Sequence, residues 1–536
     1  MAKGCLEWPC INFSDSMPTP SSVHGALRKP TMTENYQATY EKLCAHAREV
    51  ALLHSTQSLL GWDERTKLPP AGGAYRAEQV SYLAGLIHKR ETAPEVGEWL
   101  AELAGSPLAA DPHGDAGADI VNLKRDYDRK TKLPQALVEE LARLSVLGQQ
   151  LWVGARKAND FARFQPLLER TVELKRQEAA AVGYNDVPYD ALLDEYEPGA
   201  KTKEVERVLA GLREQLVPLV AEIAASSRRP NMDALKRPVA IAVQEKLGRR
   251  AIEAFGYDFS AGRLDVTDHP FCTTLGPRDV RLTTRYDAQF LPGSFFSTLH
   301  EAGHGMYEQG LPAARFGLPT GQAASLGIHE SQSRMWENLV GRSRAFWEHF
   351  YPQAKAVAPE AFADVPLDEF YFAINDVRPS LVRTEADEAT YNLHILVRFE
   401  LEQSLILDEL RVADLPSAWR EKYRNYLSIE PPNDADGVLQ DVHWSSGAIG
   451  YFPTYSLGNL YAAQLFEQAA VVLGDLQAMF RRGAFSPLLD WLRQQIHSQG
   501  RRYPAAELAR RATGQPLSHG ALMRHLHGKF APLYDL

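Results

Sequence analysis

Cysteine is scarce in this chain: Cys5, Cys10, Cys44 and Cys272 are the four among 536 residues. That is too few for a disulfide framework at this length. Cys5 and Cys10 fall within the first 31 residues and read as free thiols. Long apolar runs are missing as well; no stretch reaches the ~20 residues that a membrane helix needs. Residues 1–31 lack the apolar core of a signal peptide, so the expectation is a cytoplasmic protein with no membrane partner. An excess of positive charge is also missing. Fifty-eight Lys and Arg face 68 Asp and Glu, giving a net charge of −10, which argues against general nucleic-acid binding. What remains is an ordinary globular mix, 45% hydrophobic and 24% charged, on a chain long enough for a large core.

Residues 1–31 are rich in Pro and Ser, show no period, and read as a disordered extension. From Thr33 the pattern is helical. Leu43, Val50, Leu53 and Leu60 recur at helical spacing up to Trp62. A loop at Pro69–Gly73 follows, then a helix from Tyr75 to about Leu103 and a turn at 105–115. Further helices are expected over 118–130, 134–158, 162–182 and 201–227. The acidic stretch Tyr189–Gly199 reads equally as a site lining or as a helix end with a Pro-Gly stop. Asp279–Tyr286 alternates and is β-branched, so it predicts a short strand or hairpin. Helix is expected again over 391–407 and from 458 to the end. Between them, 437–455 mixes Gly, His and aromatic residues without a period, as active-site loops often do.

The chemistry concentrates at residues 292–310. Pro292 and Gly293 break what precedes, Ser294 can cap the first turn, and Gly310 with Pro312 stops the helix. Within it, His300, Glu301 and His304 form H-E-x-x-H. Positions i and i+4 share a helix face, so both imidazoles can meet one metal ion. Glu301 sits beside them as a general base. No Lys or Arg interrupts this helix, so the pair is expected to be buried. A third His six residues after the second is ruled out, because Gly310 stands there. The third ligand must come from further on, and the next helical stretch is 322–342. Adjacent helical residues point about 100° apart, so His329 and Glu330 cannot both face the ion. A two-His, one-Glu set favours Glu330, with His329, Glu308 and Glu337 as alternatives.

Six motifs in order now resemble one family. They are His269-Pro-Phe, Asp279-x-Arg281-x-Thr283, His300-Glu301-x-x-His304, His329-Glu330-Ser-Gln, Val382-Arg383-x-x-Ala-Asp387 and Gly437-x-x-Gln-Asp441-x-His443-Trp444. From about residue 33 to the C-terminus the chain resembles the carboxypeptidase Taq family of thermostable-type metallocarboxypeptidases. The resemblance implies a mainly α fold, a single large helical unit over 32–536 related in shape to the neurolysin-like zinc peptidases. A deep central groove and a small β-hairpin or sheet beside the metal helix go with it. It implies one divalent ion per chain, Zn2+ or Co2+, with His300, His304 and Glu330 as ligands. It also implies peptide substrates, a homodimer, and removal of single C-terminal residues with broad specificity. By likeness to the neurolysin-like fold, Tyr451 and His443 would donate to the oxyanion, with Tyr455 as a substitute. The arginine motif points to Arg383 as reader of the substrate α-carboxylate, with Arg281 and Arg378 as competitors. His269 would line the cleft. Two other readings stand beside this one: an endo-oligopeptidase of the same chemistry, and a helical scaffold without activity.

Overall fold

The computed structural model describes residues 32–536. The expected tail 1–31, with Cys5 and Cys10, lies outside the described residues. Cys44 and Cys272 are free thiols.

Among the described residues, nine α-helices lead to the site. They are α1 (Met32–Thr66), α2 (Gly73–Glu91), α3 (Pro94–Ala104), α4 (Asp115–Lys132), α5 (Gln135–Ala158), α6 (Phe161–Val182), α7 (Pro188–Tyr196), α8 (Thr202–Ala225) and α9 (Ile241–Phe255). The sequence predicts one helix over 75–103. The structure divides it at Thr92-Ala93, because a residue before proline is pushed out of the helical region and Pro94 opens a new first turn.

Next comes a three-stranded sheet: β1 (Gly262–Val266), β2 (Cys272–Gly276) and β3 (Asp279–Thr284). Strand order is β1-β3-β2, with β2 antiparallel to β3 and β1 parallel to it. The hairpin is where the alternating run predicts it. β1 escapes that reading because two of its five residues are charged. Arg263 and Asp265 share one strand face and pair with each other, Nε to Oδ2 at 2.5 Å.

The metal-motif helix α10 spans Leu291–Gly310 and starts earlier than expected. Ser294 is therefore inside it rather than at the cap, and its hydroxyl donates to Gln244 Oε1 at 2.5 Å. Phe295, Phe296, Leu299, Ala302, Met306 and Tyr307 sink into the main core. Burying one such phenylalanine contributes about 1.5–3 kcal/mol. Leu282 and Thr284 of β3 face this helix, with Thr298 Oγ1 donating to Thr284 Oγ1 at 3.1 Å.

After two short 3-10 turns, α11 covers Leu326–Arg334. The predicted helix over 322–342 is thus shorter, and Met335–Gly341 continues as a π-helix. α11 packs on α10 where Gly303 permits it: a Cβ there would stand 2.5 Å from Ser333 Cα. Farther on, the helices Tyr391–Ile406 and Pro453–Leu473 close the core around α11.

The loop joining α10 to α11 is itself held. Leu318 belongs to a smaller core with Tyr40, Leu43, Val96, Leu100 and Ile120. Asp119 of α4, fully buried, accepts from Thr320 N at 3.0 Å and Thr320 Oγ1 at 2.9 Å, and pairs with Arg315. No helix among the described residues is long and apolar enough to cross a membrane.

Candidate active site

α10 sets His300 and His304 one turn apart, and α11 brings Glu330 to them. Glu330 Oε2 lies 3.7 Å from His300 Nε2 and 3.5 Å from His304 Nε2. Two ligands held tetrahedrally at about 2.1 Å from one ion stand about 3.4 Å apart. The carboxylate therefore already stands at about that spacing from each imidazole, and all three donors lie within 4.8 Å of one another. Both rings present Nε2 inward because Nδ1 is engaged elsewhere. His300 Nδ1 meets Glu337 Oε2 at 2.9 Å, and His304 Nδ1 meets the carbonyl of His329 at 3.0 Å. Partners of this kind fix tautomer and ring orientation in metal sites.

The electrostatics suit a cation. Burial opposes ionisation of Glu330, yet Arg334, His300 and His304 hold its carboxyl well below the usual range. Arg334 Nε donates to Glu330 Oε1 at 2.7 Å, leaving Oε2 turned to the histidines. Burial and the neighbouring His329 pull His304 down to about 3, so it is a neutral imidazole. His300 sits above its ordinary value: burial pulls it down, but Glu330 and Glu337 outweigh that. The expected burial of the pair is only partial; the two side chains keep 19% and 14% exposure.

Sequence spacing leaves alternatives for the third donor. The geometry gathers His300, His304 and Glu330, the one such donor set among the described residues. His329 points aside, with its Nε2 on Glu308 Oε1 at 2.9 Å and its ring stacked on His304. Glu308 is held further by Thr274 Oγ1 at 2.8 Å. Glu337 orients His300 instead of facing the shared point. Glu301 is 7% exposed, its carboxyl forms no side-chain hydrogen bond, and burial pushes that carboxyl up to about 7.

An aromatic wall stands opposite. Tyr451 and Tyr455 have ring centroids 5.3 Å apart, and His443 lies 5.4 Å from Tyr451. Burial raises both phenols, and the charge of Glu330 adds to that, so the hydroxyls keep their protons beside the Glu330 carboxylate. Tyr455 falls in the first turn of Pro453–Leu473, not in a loop. Burial takes His443 down to about 4.

Arg383 backs this wall. Its Nη2 and Nε donate to Asp441 Oδ1 at 2.8 and 3.0 Å, its Nη1 donates to Tyr391 OH at 3.1 Å, and it lies 5.1 Å from the Tyr455 ring centroid. Asp441 also takes Arg398 Nε on Oδ2 at 2.6 Å. Arg281 alternates with Leu282 and so projects from the sheet face away from α10, pairing with Asp279 and lying over Trp62. His269 is exposed in the bend between β1 and β2. Arg378 pairs with Asp376 at the surface.

Sequence reasoning passed over Arg334, which stands four residues after Glu330. That spacing was itself a usable signal, since such residues share a helix face. Gly458 was passed over too, and no local signal marks it. A Cβ there would come within 2.5 Å of Glu330 Cγ.

The chain is similar to known proteins over most of its length. Residues 42–530 match the family described as Carboxypeptidase Taq (M32) metallopeptidase. Thermostable carboxypeptidase 1 of Thermus thermophilus is 47% identical over 507 residues, covering 93% of this chain and 99% of that one. Carboxypeptidase 1 of Bacillus subtilis is 38% identical with the same coverage. The crystal structure of the M32 carboxypeptidase from Deinococcus radiodurans superposes with a TM-score of 0.89 at 42% identity, over 93% of this chain and all of that one. A match this long, in sequence and in a mainly helical fold, means that the chain belongs to the carboxypeptidase Taq family of metallopeptidases and is a peptide hydrolase.

Proposed function

We propose that the protein removes single residues from the free C-termini of peptides, with broad side-chain tolerance and one divalent ion, Zn2+ by preference, per chain. The observation that carries this reading is the donor set itself: His300, His304 and Glu330 at ligand spacing with Glu301 beside them. An ion held there would supply Lewis acidity toward a water and the scissile carbonyl. Glu301 takes the proton from the attacking water and returns it to the leaving amine. A carboxyl poised near neutrality suits both directions of that transfer. Tyr451 and His443 donate to the developing oxyanion, with Tyr455 able to substitute. Arg383 reads the substrate carboxylate through the N–H groups left over by Asp441 and Tyr391. Arg281 and His269 act at most at the periphery. The same proposal covers assembly as a homodimer and residues 32–536 as one catalytic domain.

One observation favours the endo-oligopeptidase reading: Asp441 already occupies much of the Arg383 fork. The test is an N-blocked tripeptide beside its C-terminally amidated twin, with products followed by mass. Loss of one residue from the free acid alone is expected, and Glu301→Gln should slow it by about 100- to 10,000-fold. Equal cleavage of both peptides would make the protein an endo-oligopeptidase and remove Arg383 from its role.

A further inference from the structure

Glu197 is an acid buried far from any solvent, with 1% exposure, just past the end of α7. Its Oε2 accepts from Gly327 N at 3.0 Å, and its Oε1 accepts from Tyr461 OH at 3.3 Å. The first N–H groups of a helix have no partner inside it. In α11, Ser325 Oγ takes one of them, Ile328 N at 3.0 Å. Glu197 takes another, and its negative charge complements the helix dipole there. The fit is close. A Cβ on Gly327 would stand 2.7 Å from Glu197 Oε2 and 3.0 Å from Oε1.

Gly327 and Glu330 are three residues apart in a nine-residue helix, so they share one face and one turn. On the facing helix Pro453–Leu473, Tyr461 and Gly458 are also three apart. Gly458 is the residue that leaves room for the Glu330 side chain. Glu197 and Glu330 therefore lie at successive levels of the same seam between two helices. The first fastens the seam, and the second emerges from it toward the histidines. Burial pushes the Glu197 carboxyl up to about 7, so the fold keeps an acid where an apolar residue would be easier to accommodate.

We propose that Glu197 is a positioning residue of the metal centre, which sets the height and rotation of α11 so that Glu330 meets His300 and His304. This rests on the ligand set proposed above. The test is the zinc dissociation constant, measured by competition with a chromogenic chelator. Wild type would be compared with Glu197→Gln, Glu197→Ala, Gly327→Ala, the Glu197→Ala/Gly327→Ala pair and Glu330→Gln. Replacing Glu197 should weaken zinc by about 10- to 100-fold, as loss of an orienting partner does. Gly327→Ala should weaken zinc in the wild-type background and add nothing once Glu197 is alanine, because the clash has gone. Wild-type affinity in both Glu197 variants, with binding lost in Glu330→Gln, would overturn the proposal. Unchanged affinity in Glu330→Gln would instead overturn the ligand assignment, and this inference with it. If the Glu197 variants fold poorly, Gly327→Ala decides alone: zinc affinity equal to wild type rejects the role.

Discussion

Glu337 Oε2 lies 2.9 Å from His300 Nδ1, seven residues beyond the carboxylate that shares the metal point with that ring. Arg334 reaches both acids, with Nε on Glu330 at 2.7 Å and Nη1 on Glu337 at 3.3 Å. One arginine thus ties Glu330 to the group that orients His300. Glu337→Ala is expected to weaken zinc by about 10- to 100-fold. Glu337→Gln should lose less, because its amide oxygen still accepts from Nδ1. Equal losses in the two variants, by chelator competition, would count against an orienting role.

Gly458 tests the same centre from the opposite helix. An alanine methyl there would need the space of Glu330 Cγ and Cβ, 2.5 and 2.6 Å away. Gly458→Ala should displace Glu330 and weaken zinc at least tenfold, although alanine favours helix by up to about 1 kcal/mol. Thermal unfolding with and without zinc separates the two effects. The metal-free protein should hold its stability better than the metal-loaded protein does.

Asp441 sits between two guanidinium groups whose side chains are 7% and 0% exposed. Its own carboxyl is held far below the usual range despite burial, by Arg398 and Arg383. Asp441→Asn leaves two buried charges without their counter-ion, which costs about 3–5 kcal/mol. Arg398→Met placed on top should recover part of that loss. Urea denaturation of the single and double variants reads both numbers, and an undiminished single variant would refute the argument.

Acid should destabilise the fold through His497. The ring is fully buried, with Nε2 on Gln332 Oε1 at 2.9 Å and Nδ1 without a partner. Burial pulls it down to about 3 from 6.5. The folded chain thus keeps it neutral while the unfolded chain binds a proton. Its contribution is complete above about pH 6.5 and is lost as pH falls toward 3. At pH 5 the loss is about 2 kcal/mol relative to pH 7. His394, also buried and held neutral, adds in the same direction. Replacing His497 with Gln should flatten the pH 5–7 slope of unfolding free energy, and an unchanged slope would assign the acid lability elsewhere.

The H-E-x-x-H pair was legible because its spacing is local, with His300 and His304 one turn apart. Glu330 was favoured by the chemistry of a two-His, one-Glu set, with His329, Glu308 and Glu337 left open beside it. The partners were less legible. Glu337 faces His300 across a π-helical segment, so α-helical spacing does not place it. Glu197 stood in plain view within an acidic stretch, yet its partner Gly327 lies 130 residues away, and no period connects them. Arg281 is a different case. Its motif drew it toward the substrate, whereas strand alternation sends it to the far side of the sheet, over Trp62. The break at Thr92-Ala93 was available from Pro94, but apolar spacing carried the predicted helix across it.

The grip of Asp119 on the loop between α10 and α11 makes anchorage of the N-terminal helices and occupancy of the metal centre parts of one equilibrium. The loop between α10 and α11 is tethered to α4 through Thr320 and Arg315, so moving the two helices apart strains those contacts. Linkage is reciprocal. If an ion is held by His300, His304 and Glu330, whatever loosens α4 lowers its affinity, and the bound ion slows amide exchange in α4, a helix that supplies none of the three donors.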